Sequence, residues 1–115
     1  MRPDFDSLAF SFVPLCAIHF HASERPDRKP FLSDYRCQLR YADDLADTTA
    51  HEVRVYFVGQ LQVHAGEHVS ALLAFLNWEG QEVRCRVGSG FELVVGRQIV
   101  ARGNVQVIAR RGDLR

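Results

Sequence analysis

Four of the five histidines fall into two close pairs, a spacing that could serve metal binding. His19 and His21 are separated by one residue in an alternating segment, and His64 and His68 flank a predicted turn. Imidazole nitrogens are common ligands of zinc and nickel, so the four rings would form a site if the two pairs converged. Histidines on strand surfaces are commoner than metal ligands. We therefore expect no bound metal, and a metal- or small-molecule-binding barrel stays as an alternative.

The remaining polar residues give no catalytic pattern. Asp43, Asp44 and Asp47 form an acidic segment, but the glycine and terminal glutamate of an EF-hand loop are missing, which favours a solvated loop. The chain has no GxxxxGK[ST] phosphate loop, and Gly88-Ser89-Gly90 is a predicted turn with no helix after it. No serine or cysteine is paired with a histidine by spacing. We therefore predict no enzymatic activity, no bound nucleotide and no cofactor.

The three cysteines indicate reduced thiols. The sequence has no CxxC pair, since its cysteines are widely spaced at positions 16, 37 and 85. This spacing argues against a zinc ribbon or a redox motif. Buried free thiols are typical of the reducing cytosol, so we predict a cytoplasmic protein. Pro14 interrupts the apolar stretch at residues 8–20, and acids precede that stretch, which argues against a signal peptide. No apolar run reaches the roughly 18 residues of a transmembrane helix, and we expect no membrane partner.

Charge is balanced overall but uneven along the chain. The 115 residues carry 14 basic and 14 acidic side chains, so no global field attracts nucleic acid. Residues 84–115 contain seven arginines against two acids, whereas residues 1–83 contain 12 acids against seven bases. One interpretation is chance segregation of surface charge. The other is an anionic partner that binds the C-terminal third.

Several residues are candidates for partner contact. Arg84 and Arg86 alternate in a predicted strand at residues 83–87, which would place them on one face. Arg97 is expected at the tip of the last hairpin, and Arg102 follows five residues later. Trp78 lies in a predicted loop, where a tryptophan either covers the core or forms a binding hot spot.

The elements that would position these residues are strands. Period-two alternation predicts strands near residues 15–22, 35–41, 53–57, 61–63, 69–76, 83–87, 91–95 and 98–109. The apolar run at residues 69–76 has helix-favouring residues, but its short length and flanking glycines favour a buried strand. The pattern predicts an all-β fold, a small closed antiparallel barrel of six to seven strands.

The domain organisation follows from the same pattern. We predict an extended lead-in at residues 1–14, one barrel domain at residues 15–110 and a tail at residues 111–115. The predicted core comprises the inward apolar positions of the strands: Ile18, Phe20, Tyr35, Leu39, Val53, Val55, Leu72, Phe91, Leu93, Val105 and Val107.

Three segments resemble a known family. They read PFLSDYRCQLRY at residues 30–41, VHAGE at residues 63–67 before a long apolar strand, and GFELVVGRQIVARG at residues 90–103. Their order and spacing are similar to the C-terminal β-barrel, the third domain, of elongation factor Tu. The resemblance covers residues 16–109 and implies a stand-alone copy of that barrel. Cys37 replaces the proline of the family, and Gly96 replaces its pair of glycines.

The resemblance also implies what such a barrel would bind. In the family this domain packs on the GTPase and second domains, and its glycine–arginine hairpin lies near the T-stem of aminoacyl-tRNA. Gly96 and Arg97 are therefore the implied contact positions. We expect a non-enzymatic protein-binding module that is associated with translation or mimics that factor. RNA binding through the arginine-rich third is the alternative.

Overall fold

The computed structural model describes residues 12–21, 30–42, 50–76 and 84–110. In these ranges the chain forms eight strands, six of which close into an antiparallel barrel in the order β1-β6-β4-β3-β7-β8. The other two, β2 and β5, pair with each other. The strands are β1 (Phe12–Phe20), β2 (Phe31–Leu32), β3 (Tyr35–Tyr41), β4 (His51–Phe57), β5 (Gln62–Val63), β6 (His68–Phe75), β7 (Gly90–Val95) and β8 (Gln98–Arg110). The predicted all-β fold, a small closed antiparallel barrel, is confirmed.

Alternation along each strand fills the barrel interior. On β3, Cys37, Leu39 and Tyr41 are buried, while the arginines and the glutamine between them face outward. The β2–β5 ribbon adds Phe31 to the same core, with its ring 4.4 Å from the ring of Phe20. Most of the predicted core is buried in this cluster, with Tyr35 packed half-buried against it: Ile18, Phe20, Leu39, Val53, Val55, Phe91, Leu93 and Val105.

Two predicted core residues face outward. Val107 is 48% exposed because the pairing of β1 and β8 slips by one residue: Leu15 faces Val107, but Cys16 faces Val105. The extra residue, Gln106, makes a bulge that reverses which side of β8 faces the core. Leu72 is buried, but in a separate small cluster with Val13 and Ala74, because it alternates with Ala71 and Leu73 of the interior.

Some predicted boundaries also change. The apolar run at residues 69–76 is a strand as predicted, since it forms β6. The predicted strand at residues 83–87 is wrong, because Arg84 has helical geometry and residues 85–87 are in no strand. β1 begins at Phe12, which places residues 12–14 in the barrel and not in the predicted lead-in. The lead-in before that point, the acidic loop at residues 43–47, Trp78 and the tail lie outside the described residues.

Two glycines have distinct structural roles in the last hairpin. Gly96 has φ +62°, and Arg97 beside it does not have a positive φ, a pattern typical of a type II′ turn. Gly103 lies where β8 crosses β1 closely. A Cβ at Gly103 would be 2.6 Å from the carbonyl oxygen of Ala17 and 2.8 Å from the ring of Phe91. A glycine inside a strand is typical of such a close approach between backbones.

Within the described residues, no helix is long and apolar enough to cross a membrane.

Candidate functional site

Apolar side chains line part of the outer surface of the barrel. Leu15 of β1 faces Val107 of β8 on one side and Leu72 of β6 on the other, and Leu72 faces Tyr56 of β4. These four residues form a continuous strip across four strands, here named the apolar row. Leu72 is buried, Leu15 and Tyr56 are half-buried, and Val107 is exposed. Val13 and Ala74 pack beside the row and are buried.

The apolar row is not required to fill the barrel. The interior side of the same strands is already occupied by side chains such as Cys16 and Leu73, both with no exposed surface. Outward positions of a small barrel in water are normally polar, as the outward arginines of β3 are. Exposed apolar surface is typical of a contact surface, and in this strip it lies chiefly at Val107, since Leu72 and its neighbours Val13 and Ala74 are buried.

A second strip crosses three of these strands, β8, β1 and β6, four positions further along β1. Arg102 of β8 faces His19 of β1, and His19 faces His68 of β6. These three residues are here named the cationic row, after the guanidinium of Arg102. The rings of His19 and His68 stack with centroids 4.1 Å apart and an interplanar angle of 6°. His19 Nε2 lies 3.2 Å from the carbonyl oxygen of Gly66, so this nitrogen donates to the oxygen.

The cationic row continues into a shared ion pair. Glu92 of β7 accepts from Arg40 at 3.0 Å with Oε1 and from Arg102 Nε at 3.2 Å with Oε2. Because two guanidinium groups share one carboxylate, the three side chains carry one net positive charge. The pKa of Glu92 is lowered, first by the hydrogen bond from Arg40 and then by that from Arg102.

A groove lies between the two rows. Ala17 of β1 separates Asn104 of β8 from Ser70 of β6, each of which it faces directly. The groove is open, has a volume of about 550 Å³, and is lined in addition by the residues of the cationic row. Its floor is a small methyl group, and its walls carry donors from three strands.

The four histidines predicted as an alternative metal site do not meet. In stacked parallel rings the nitrogen lone pairs lie in two parallel planes, so His19 and His68 do not aim at one ion. His21 is further away, with its ring centroid 6.4 Å from that of His19. The backbone N–H of His64 donates to Glu67 Oε1 at 2.7 Å, which closes the turn before β6. In the described part of the chain, no group of three or more potential ligands is arranged to hold a metal ion.

The candidate arginines are dispersed. The Arg84 guanidinium lies 4.5 Å from the ring centroid of Tyr41, and Arg86 is exposed in a turn in which its N–H donates to Ser89. The predicted shared face of Arg84 and Arg86 is therefore wrong, since they are on no common strand. Gly96 and Arg97 are exposed at the hairpin tip. Arg102 is roughly 15 Å further along β8, at about 3.3 Å per residue.

The thiols lie inside the barrel. All three cysteines are free and buried. Burial raises the pKa of Cys37 to about 12, and it raises the pKa of Cys85 to about 11 despite a hydrogen bond with Tyr41. The pKa of Cys16 is raised by burial and by the proximity of Cys85. A thiol held neutral in this way is a poor nucleophile and a poor metal ligand.

The outer face of β8, β1, β6 and β4 was only partly visible in the sequence. Arg102, His19 and His68 are candidates for separate reasons. They become adjacent through strand pairing, across 83 positions of sequence between His19 and Arg102 and 49 positions between His19 and His68. Leu72 and Val107 were assigned to the core because an apolar strand residue normally faces it. No protein-family model matches this chain, and no curated protein is similar enough to count as a relative.

Proposed function

We propose that this chain is a non-enzymatic protein-binding module whose contact surface is centred on the apolar row. The observation that carries the proposal is the outward, register-matched placement of Val107, Leu15 and Leu72. Val107 is 48% exposed at one end of the row, so a partner has apolar surface to bury there.

The resemblance to the third domain of elongation factor Tu agrees with this proposal. In that family the barrel is a docking domain that packs against other domains. By analogy, this barrel would offer its surface to a protein partner, and a component of the translation machinery is the proposed source of that partner. Arg84, Arg97 and Arg102 lie on different parts of the described structure, which favours protein over RNA as the partner.

The test compares two exposed valines. Val107 lies in the apolar row, and Val95 lies at the end of β7 next to the hairpin tip, 45% exposed. A photo-crosslinking residue at position 107 should form a discrete adduct in extract of the native host, and the same residue at position 95 should not. Val107→Asp should weaken binding of the crosslinked protein about tenfold or more, whereas Val95→Asp should leave it unchanged.

Two further readings complete the test. Binding through the apolar row should change little between low and high salt, while binding through phosphates should weaken steeply. Sedimentation at increasing concentration detects a second copy as the partner. If Val107→Asp binds as tightly as wild type while its melting temperature is unchanged, the apolar row is not the contact surface and the proposal fails.

A further inference from the structure

The groove beside the apolar row has the properties of an anion site. Its polar side chains come from three strands that the barrel brings together, with Arg102 and Asn104 on β8, His19 on β1, and His68 and Ser70 on β6. They include the kinds of donors that bind oxyanions: the Arg102 guanidinium, the His68 imidazole, an amide and a hydroxyl. The Nε2–H of His19 is already donated to the carbonyl of Gly66. Because Ala17 lies between Asn104 and Ser70, no large side chain occupies the centre of this set.

The donors are available for a ligand. Arg102 contacts Glu92 through Nε, at 3.2 Å, and its Nη groups make no further contact within the described part of the chain. In the same part of the chain, the side chains of Asn104 and Ser70 have no hydrogen-bond partner, and His68 only stacks on His19. A barrel surface does not require this concentration of unused donors around one groove.

The local charge favours an anion. The group formed by Arg40, Glu92 and Arg102 carries one net positive charge. Glu67 is the acidic residue next to His68 in the sequence, but its carboxylate accepts the backbone N–H of His64 at 2.7 Å. Among the residues that the structure describes, no carboxylate lines the groove itself.

We propose that this groove binds a phosphate group, either as the free ion or as a monoester. A tetrahedral oxyanion has three or four oxygens that can accept from all three strands at once, whereas a carboxylate has two oxygens in one plane. The Nη edge of the Arg102 guanidinium fits two of these oxygens as a fork. The site is independent of the apolar row, and its occupancy can be measured without a protein partner.

The test follows the imidazole Cε1–H signals by NMR during titration with inorganic phosphate at constant ionic strength. The signals of His19 and His68 should shift together and saturate, with a dissociation constant on the order of millimolar. The signal of His64, which faces a turn, should shift much less. Methyl phosphate in place of phosphate tells whether a monoester is accepted, and acetate tests the requirement for a tetrahedral anion.

Three variants assign the binding to the groove. Arg102→Met keeps the aliphatic stem and should weaken phosphate binding about tenfold, while the matched change Arg97→Met at the hairpin tip should have no effect. Ala17→Leu should abolish saturation by filling the groove floor, and circular dichroism reports whether each variant is folded. Equal shifts with acetate, equal affinity of Arg102→Met and Arg97→Met, or unchanged saturation in Ala17→Leu would each overturn the proposal.

Discussion

The outer surface of the barrel has two unlike sides. On β3 the outward residues are Arg36, Gln38 and Arg40, and charged residues of β4 and β7 lie next to them. Across β8, β1 and β6 the outward residues are the apolar row at one end and the cationic row at the other. The interior behind both sides is equally buried and apolar.

This difference separates the surface that folding explains from the surface that it does not explain. Closing the barrel requires an apolar interior and tolerates almost any outward residue, so the charged side is what folding alone would produce. The β1–β6 side departs from that pattern twice, with the apolar row and with unused donors around a groove. The four predictions below test whether the two sides are indeed backed by the same rigid core.

The largest expected effect concerns thiol reactivity. Cys16 lies behind the apolar side and Cys37 behind the charged side, and burial raises the pKa of both. Iodoacetamide at pH 8 should modify both at least about a hundredfold more slowly in the folded protein than in urea, since reaction requires an exposed thiolate. A Val107→Cys variant should be modified rapidly. Rapid modification of Cys16 together with protection of Cys37 would show that the core behind the apolar row is exposed to solvent by local unfolding. The two sides would then not be backed by the same rigid core.

Core truncation is expected to cost the same on either side. Leu73 of β6 and Leu39 of β3 are both fully buried, whereas Leu76 just beyond β6 is 78% exposed. Leu73→Ala and Leu39→Ala should each lower the free energy of unfolding by about 2–5 kcal/mol, and Leu76→Ala should stay within about 0.5 kcal/mol. Urea unfolding followed by circular dichroism measures all three. If Leu73→Ala cost no more than Leu76→Ala, β6 would not belong to the same core as β3.

The sequence predicts the buried interior better than the outer surface, and Leu39, Leu73 and Val107 show why. Leu39 alternates with polar neighbours at the period of a strand, so its inward placement follows from the local pattern. Leu73 lies in a continuous apolar run in which Leu72 is the predicted core residue, so its inward placement is visible only in the folded barrel. Val107 faces outward although it alternates with Val105, because a bulge at Gln106 shifts the strand register. This bulge depends on pairing with β1 and has no signature in the local sequence. The groove has the same origin, since His19, His68 and Arg102 become neighbours only when the barrel closes.

In the last hairpin, some features are predictable from the local sequence and others depend on contacts between distant residues. The turn at Gly96 is predictable from glycine in a two-residue loop, and the close approach at Gly103 from a glycine inside a strand. The partner of that approach, the carbonyl of Ala17, is 86 residues away in sequence. The alternation of Arg84 and Arg86 is typical of a strand, but residues 85–87 do not pair with any described strand.

A smaller effect is expected where β8 crosses β1. Gly103→Ala would place a Cβ 2.6 Å from the Ala17 carbonyl oxygen, which is backbone and cannot move alone. We expect a loss of about 1–3 kcal/mol in the free energy of unfolding. Gly90→Ala is the matched control, because its Cβ would meet only ordinary contacts, the nearest at 3.6 Å. Equal stability of the two variants would mean that β1 and β8 are held less closely than described.

The smallest expected effect lies at the ion pair where the two sides meet. Because Arg40 and then Arg102 lower the pKa of Glu92, this carboxylate stabilises the fold above the ordinary glutamate pKa of about 4.3. The contribution is lost as the pH falls through the lowered pKa of the folded state. Between pH 7 and pH 3, wild type should therefore lose about 0.5–1 kcal/mol more stability than Glu92→Gln, in keeping with a solvent-accessible pair. Glu52→Gln, at an exposed position of β4, should lose as much as wild type over the same range. Urea unfolding at each pH measures these free energies. If the stability of Glu92→Gln fell with pH as much as that of wild type, the ion pairs of Glu92 with Arg40 and Arg102 would not stabilise the fold.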